Sequence, residues 1–197
     1  NTNSFSYAFR NCTSLESLDL SNFNTNKAES MTGTFYGCSS LISADLSNYI
    51  IDITSLDDLF CGCTSLQNVT ISVKRVQIVT GMFKECYSLE KANLNNLDTS
   101  NLESTKSLFE GCYNLKELEM KNFNTKNVKN LSSMFRECYN ITKISIDSFD
   151  LTKATDANRM FSACYALEEI SLKNDEIDSS IINTSRSEER RVGKECR

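Results

Sequence analysis

Residues 131–149 read LSSMFRECYNITKISIDSF, and residues 31–49 read MTGTFYGCSSLISADLSNY. Superposed, both stretches carry a Phe, a Cys three residues on, a Leu or Ile three further on, and then an apolar–polar–apolar triplet. Working outward from them, Phe-x-x-Cys recurs seven times: Phe9/Cys12, Phe35/Cys38, Phe60/Cys63, Phe83/Cys86, Phe109/Cys112, Phe135/Cys138 and Phe161/Cys164. The steps from Cys to Cys are 26, 25, 23, 26, 26 and 26 residues. After each Cys comes Leu15, Leu41, Leu66, Leu89, Leu115, Ile141 or Leu167. Next comes Leu18, Ala44, Val69, Ala92, Leu118, Ile144 or Ile170, and two residues later Leu20, Leu46, Ile71, Leu94, Met120, Ile146 or Leu172. The unit is F-x-x-C-x-x-L-x-x-L-x-L. A fixed period of this length marks stacked units, each burying its apolar stripe against its neighbours.

The L-x-L end of the unit alternates as a short strand does. Upstream of each Phe the period changes. Val128, Leu131, Met134, Phe135 and Cys138 stand at helix-like steps, which predicts a short helix. Five residues before the Phe lie Ser4, Ser30, Ser55, Ser104, Asn130 and Asp156, each with a side-chain oxygen suited to capping a helix start. Ile78 is the exception, in the repeat shortened to 23 residues. Gly37, Gly62 and Gly111 precede the Cys, where a helix can end in the left-handed conformation. Strands in a sheet sit ~4.8 Å apart, whereas packed helices need roughly 8–10 Å. A strand-and-helix coil therefore curves, with its strands on the concave face.

Bulk properties narrow the function classes. The chain has 197 residues, 40% of them hydrophobic, and a formal charge of −5. A nucleic-acid surface needs a basic patch, and the repeats have none. The chain contains no His, Trp or Pro, which removes the commonest general base and metal ligand. No apolar run is long enough to cross a bilayer, so no membrane insertion is expected of this stretch. The chain is read as a fragment, so the lack of an initiator Met, a basic n-region and an apolar h-region at its start decides nothing about secretion. Residues 186–197, RSEERRVGKECR, break every preceding pattern and resemble a sequencing adapter translated into the reading frame. The array is expected over residues 1–174, as about seven repeats of 23–26 residues, with an unstructured tail over 175–197. One more step from Phe161 would reach Ser187, so the last coil is expected to fray and to favour self-association through an uncapped end.

The text M-x-x-M-F-x-x-C-x-x-L-x-x-L-x-L-x-x-F-x-T resembles the BspA-like leucine-rich repeats, in the variant first described as a mycoplasma domain of unknown function. The likeness extends from residue 1 to about 174. It implies an α/β repeat solenoid: a leucine-rich-repeat-like right-handed coil with a parallel strand column on the concave face and short helices on the convex face. It also implies a cell-surface or secreted protein of host-associated bacteria or some protists, adhering to protein or glycan partners on host or microbial surfaces. An intracellular leucine-rich-repeat scaffold or regulatory module is the rival function.

Three groups of side chains are candidates for function. The polar residue inside each L-x-L points away from the core, giving Asp19, Asp45, Thr70, Asn93, Glu119, Ser145 and Ser171 along the concave face. With Glu16, Glu90, Lys116, Glu117, Glu168 and Glu169 beside them, the face has an acidic bias. It is either a binding surface, as in many repeat proteins, or plain solvated surface. Tyr87, Tyr113, Tyr139 and Tyr165 each follow a repeat Cys. They form either an aromatic binding row or a half-buried shield at a layer edge. The cysteines stand one per coil, apart from Cys61 beside Cys63, and lack the paired C-x-x-C of structural zinc. They read first as small buried hydrophobes, with disulfides as the alternative. The sequons at Asn68 and Asn140 bear on function only in a eukaryotic secretory pathway. No phosphate loop, nucleophile elbow or metal motif appears, so no catalytic residue, cofactor or metal is expected.

Overall fold

The computed structural model describes residues 4–19 and 28–171. Expectations for residues 172–197, covering the tail, the adapter-like stretch and the fraying end, lie outside the described residues, as does Leu20. The described residues form a β-solenoid. Its strands are β1 (Ser43–Asp52), β2 (Asn68–Lys74), β3 (Lys91–Asn93), β4 (Glu117–Glu119), β5 (Lys143–Ser145) and β6 (Glu169–Ser171). β1 to β4 make one parallel sheet in chain order, and β5 and β6 make a second. Register follows the repeat. Ala44 faces Val69, Val69 faces Ala92, Ala92 faces Leu118, and Ile144 faces Ile170. The shortened repeat is absorbed locally: the ladder slips between Leu46 and Ile51 of β1, and Arg75 turns the chain at φ 58°.

The expected helices do not form; among the described residues the segment around each Phe is a run of turns. Its N–H groups alternate in direction. Tyr7, Phe9 and Asn11 donate to carbonyls of the next coil, at 2.7–2.9 Å, while Ala8, Arg10 and Cys12 donate three residues back at 3.1 Å. The same alternation recurs around Phe35 and Phe83. Residues two before and two after each Phe have positive φ: Tyr7 and Asn11, Gly33 and Gly37, Asp58 and Gly62, Gly81 and Glu85, Ser107 and Gly111, Ser133 and Glu137, Arg159 and Ala163. Left-handed residues four apart interrupt any α-helix and suit consecutive turns that need positive φ near their ends. The apolar spacing that suggested a helix is met instead by a chain that turns its side chains inward at similar intervals.

This changes the expectation of curvature. Helices standing 8–10 Å apart would have splayed one side of the coil. Here the turn side is laddered by backbone hydrogen bonds, as the strand side is, and its Phe rings are spaced 5.3–5.8 Å apart. The reason for strong curvature is gone, and the L-x-L residues lie on a strand face.

The six capping oxygens are in place but cap turns. Ser4, Ser30, Ser55, Ser104, Asn130 and Asp156 each accept from the N–H two residues on, at 2.9–3.4 Å. They also form a column of parallel bridges that passes through Ile78. In that exceptional coil the Thr80 N–H is served by Oδ1 of Asp57 from the preceding coil, at 2.8 Å.

The core is built from columns. Phe35, Phe60, Phe83, Phe109 and Phe135 are buried, and the rings from Phe9 to Phe161 stack with planes 4–7° apart. The cysteines pack beside them. Cys38, Cys63, Cys86, Cys112 and Cys138 are buried, Cys164 is half-buried and Cys12 is exposed. From Cys38 onward each column thiol donates to the Phe carbonyl of the preceding coil, at 3.0–3.2 Å. That carbonyl also accepts the N–H of its own coil's Cys, so both lone pairs are used. A thiol therefore suits the position better than a methyl: it fills the same space and carries a donor. All cysteines among the described residues are free.

Candidate functional site

The strand face gathers most of the row expected from the sequence. Asp45, Thr70, Asn93 and Glu119 stand in register on β1 to β4, and Ser145 faces Ser171 on β5 and β6. The first five of these are exposed and Ser171 is half-buried. Asp19 is exposed, outside the strands. The pleat explains the arrangement: Ala92, Ile144 and their column partners point inward, so the residue on the opposite face must meet water.

These side chains bind one another. Asn93 Nδ2 donates to Glu119 Oε2 at 3.1 Å, and Asn95 Nδ2 donates to the same oxygen at 2.8 Å. Asp147 accepts from Ser145 at 3.0 Å and from Ser171 at 2.7 and 2.8 Å. Asp45 accepts the Ser47 N–H, and hydrogen bonds from Ser47, its side chain first, hold the carboxyl below its ordinary value.

Sequence reading overlooked how far lysines neutralise the face. Lys91 pairs with Glu117 at 2.9 Å and Lys143 with Glu169 at 2.8 Å, while Lys116 and Glu90 stand 3.7 Å apart. The signal was available in the repeat step: Lys91 to Glu117 and Lys143 to Glu169 are each one coil apart. Glu117 and Glu169, through a hydrogen bond and their charge, raise Lys91 and Lys143 above the ordinary lysine value. The face is thus a lattice of alternating charge with an acidic remainder that includes Glu16, Asp45, Glu119 and Glu168. Pairs this exposed contribute little stability, but they fix the pattern of charge offered to a partner.

The tyrosines form a stacked row. Ring centroids are 4.6 Å apart for Tyr87–Tyr113 and Tyr113–Tyr139, and 5.3 Å for Tyr139–Tyr165, with planes 9–15° apart. Tyr87, Tyr113 and Tyr139 are half-buried, while Tyr165 is 73% exposed. Because the flat faces cover one another, the row offers ring edges and hydroxyls to solvent. Beside it, Asn140 Nδ2 donates to Asn114 Oδ1 at 3.1 Å, and Asn114 Nδ2 to the Tyr87 carbonyl at 3.0 Å. Burial, followed by nearby carboxylates or tyrosines, raises the Tyr87, Tyr113 and Tyr139 hydroxyls above their ordinary value.

Among the described residues no group of His, Cys, Asp and Glu is placed to hold a metal ion, and no helix is long and apolar enough to cross a membrane.

A family model described as "Mycoplasma protein of unknown function, DUF285" matches residues 2–118 and again residues 77–187. No curated protein matches the chain. A leucine rich repeat protein of T. pallidum is similar at 22% identity and TM-score 0.48, over 71% of this chain and 60% of its own. A leucine rich cell surface protein of Faecalibacterium prausnitzii is similar at 20% identity and TM-score 0.44, over 73% of this chain and 36% of its own. A leucine-rich repeat protein of Bacteroides ovatus is similar at 22% identity and TM-score 0.35, over 85% of this chain and 52% of its own. The chain spans at most 60% of the length of these structures.

Proposed function

The chain belongs to the family described as mycoplasma proteins of unknown function, DUF285, and on that premise we propose that it is a non-enzymatic adhesion or interaction module of a bacterial or protist surface or secreted protein. It binds protein or glycan partners of host or microbial origin through the strand face. The observation that carries the proposal is the division of labour among the columns. Phe, Cys and Leu positions are consumed by packing, whereas Asp45, Thr70, Asn93 and Glu119 are held in register and exposed, and Ser145 is exposed in register with Ser171. A polar lattice that presents a hydrogen-bonding group at each coil suits an extended partner with a repeating pattern of donors and charge. Surface location rests on the likeness to BspA-like repeats.

The test is a binding survey of the chain on immobilised extracellular-matrix proteins and on a glycan array, repeated at rising salt. A partner of the strand face loses affinity with salt and loses at least tenfold with Asn93→Arg combined with Glu119→Arg. Lys106→Glu, on the turn side, leaves binding unchanged. A partner that ignores the double variant and responds to Lys106→Glu overturns the assignment.

One observation favours a second reading, an intracellular scaffold. Every cysteine among the described residues is free, and free thiols suit a reducing compartment. Labelling of intact cells with a membrane-impermeant reagent separates the two: a surface module is labelled and a scaffold is protected.

A further inference from the structure

The tyrosine row is arranged for a reaction as well as for packing. Its rings lie flat on one another in adjacent coils, 4.6 Å apart at Tyr87–Tyr113 and Tyr113–Tyr139. Their outer edges reach solvent, and Tyr165 at the end of the row is largely exposed. The thiols next to these rings in the chain are turned away from solvent. Cys86, Cys112 and Cys138, each one residue before a tyrosine, are buried and spend their protons on Phe carbonyls. Burial also raises them well above the ordinary thiol value. Peroxide reacts with the thiolate, so these thiols are protected by position and by protonation. Tyr7 and Tyr36 stand apart from the row, with the Arg10 guanidinium 5.4 and 5.1 Å from their ring centres.

We propose that the row is a site of oxidative cross-linking, in which Tyr113 is joined to Tyr87 or Tyr139, ring to ring, as dityrosine when hydrogen peroxide and a haem peroxidase are present. Each of the two phenols gives up one electron and one proton and becomes a phenoxyl radical. The radicals form one bond between carbons ortho to their oxygens. The hydrogen on each of those carbons is replaced by the new bond as the phenol O–H is restored, so the pair loses two hydrogens in all. These reduce one peroxide to two waters. Stacking holds the reacting carbons in neighbouring coils, so the bond forms within one molecule and ties one coil to the next. The link does between coils what a disulfide cannot do here, since each column thiol from Cys38 on is turned inward to a carbonyl.

The experiment uses the full chain at low protein concentration with hydrogen peroxide and a haem peroxidase. Trypsin places the four rings on separate peptides, 85–91, 107–116, 137–143 and 160–173, so each linked pair is read directly by mass. The expected product is a monomer lighter by two hydrogens, with dityrosine fluorescence and links between 107–116 and either 85–91 or 137–143. Its urea midpoint is higher than that of untreated protein. Tyr113→Phe keeps a ring in the stack and removes the phenol. It should abolish both favoured links and leave only 137–143 to 160–173. The proposal is overturned if the native chain links its tyrosines in the same pattern as the urea-unfolded chain. It is equally overturned if linkage occurs only between molecules, or if Tyr113→Phe leaves the yield unchanged.

Discussion

Replacing Phe109 with Ala tests whether the columns carry the stability. Phe109 is fully buried and stacks on Phe83 at 5.3 Å and on Phe135 at 5.8 Å. A buried Phe→Ala change costs about 3–5 kcal/mol through lost burial and the cavity left behind. The array leaves little room to relax into that cavity, because the backbone on both sides is pinned by hydrogen bonds from Phe109 to Met134 and from Phe83 to Leu108. The upper half of the range is therefore expected. Part of the loss is specific to the rings: an aromatic pair is worth about 0.5–1.5 kcal/mol beyond its area, and Phe109 has two such partners. Phe109→Leu, which keeps most of the volume, should lose roughly that stacking share, about 1–3 kcal/mol for two pairs. Phe9 is half-buried and, among the described residues, stacks on Phe35 alone, at 5.5 Å. Phe9→Ala should cost clearly less, about 2 kcal/mol or below, because a half-buried ring has less burial to lose and leaves a smaller cavity. Urea melts followed by far-ultraviolet circular dichroism measure all three, with the slope checked for constancy. Equal losses at Phe9 and Phe109 would refute the argument.

The buried thiols couple stability to alkaline pH. Burial pushes Cys61 and Cys164 from 9.0 up to about 12, and raises Cys63, Cys86, Cys112 and Cys138 as well. The unfolded chain therefore releases these protons first, and stability that is complete below pH 9.0 falls as pH rises toward about 12. A urea midpoint that stays level across that range contradicts the protonated column. Thiol labelling should be fast at Cys12, which is exposed, and slow at the buried cysteines until denaturant is added; uniform labelling of native protein rules out the packing described. Ser133 has φ 56° and is half-buried. Ser133→Gly should raise stability by about 1 kcal/mol by removing the left-handed penalty, whereas Gly111→Ala, at φ 78°, should lower it by imposing the same penalty, its new Cβ meeting the Glu85 backbone at an ordinary contact distance of 3.5 Å. Calorimetric melts in which Ser133→Gly lowers stability or Gly111→Ala raises it would undo the account of the turns.

The repeat, its register and the buried columns were legible in the sequence, because a period that returns Phe, Cys and Leu to the same place leaves one way to bury them all. The outward row Asp45, Thr70, Asn93 and Glu119 followed from the two-residue period of a strand. So did the capping oxygens from Ser4 to Asp156, since a short polar side chain before an apolar run accepts from nearby N–H groups whether a helix or a turn follows. Tertiary structure decided which it was. Spacing of three and four residues is shared by an amphipathic helix and by turns stacked coil on coil, and only backbone partners distinguish them. The available clue was a pair of glycines four apart, Gly33 and Gly37, with Gly81 at the equivalent of the first, where a helix would be penalised. The thiol-to-carbonyl ladder, the Lys–Glu lattice and the mutual stacking of the tyrosines depend on distances between coils. A linear sequence sets the order of those groups along the chain, and packing sets whether neighbours one coil apart meet.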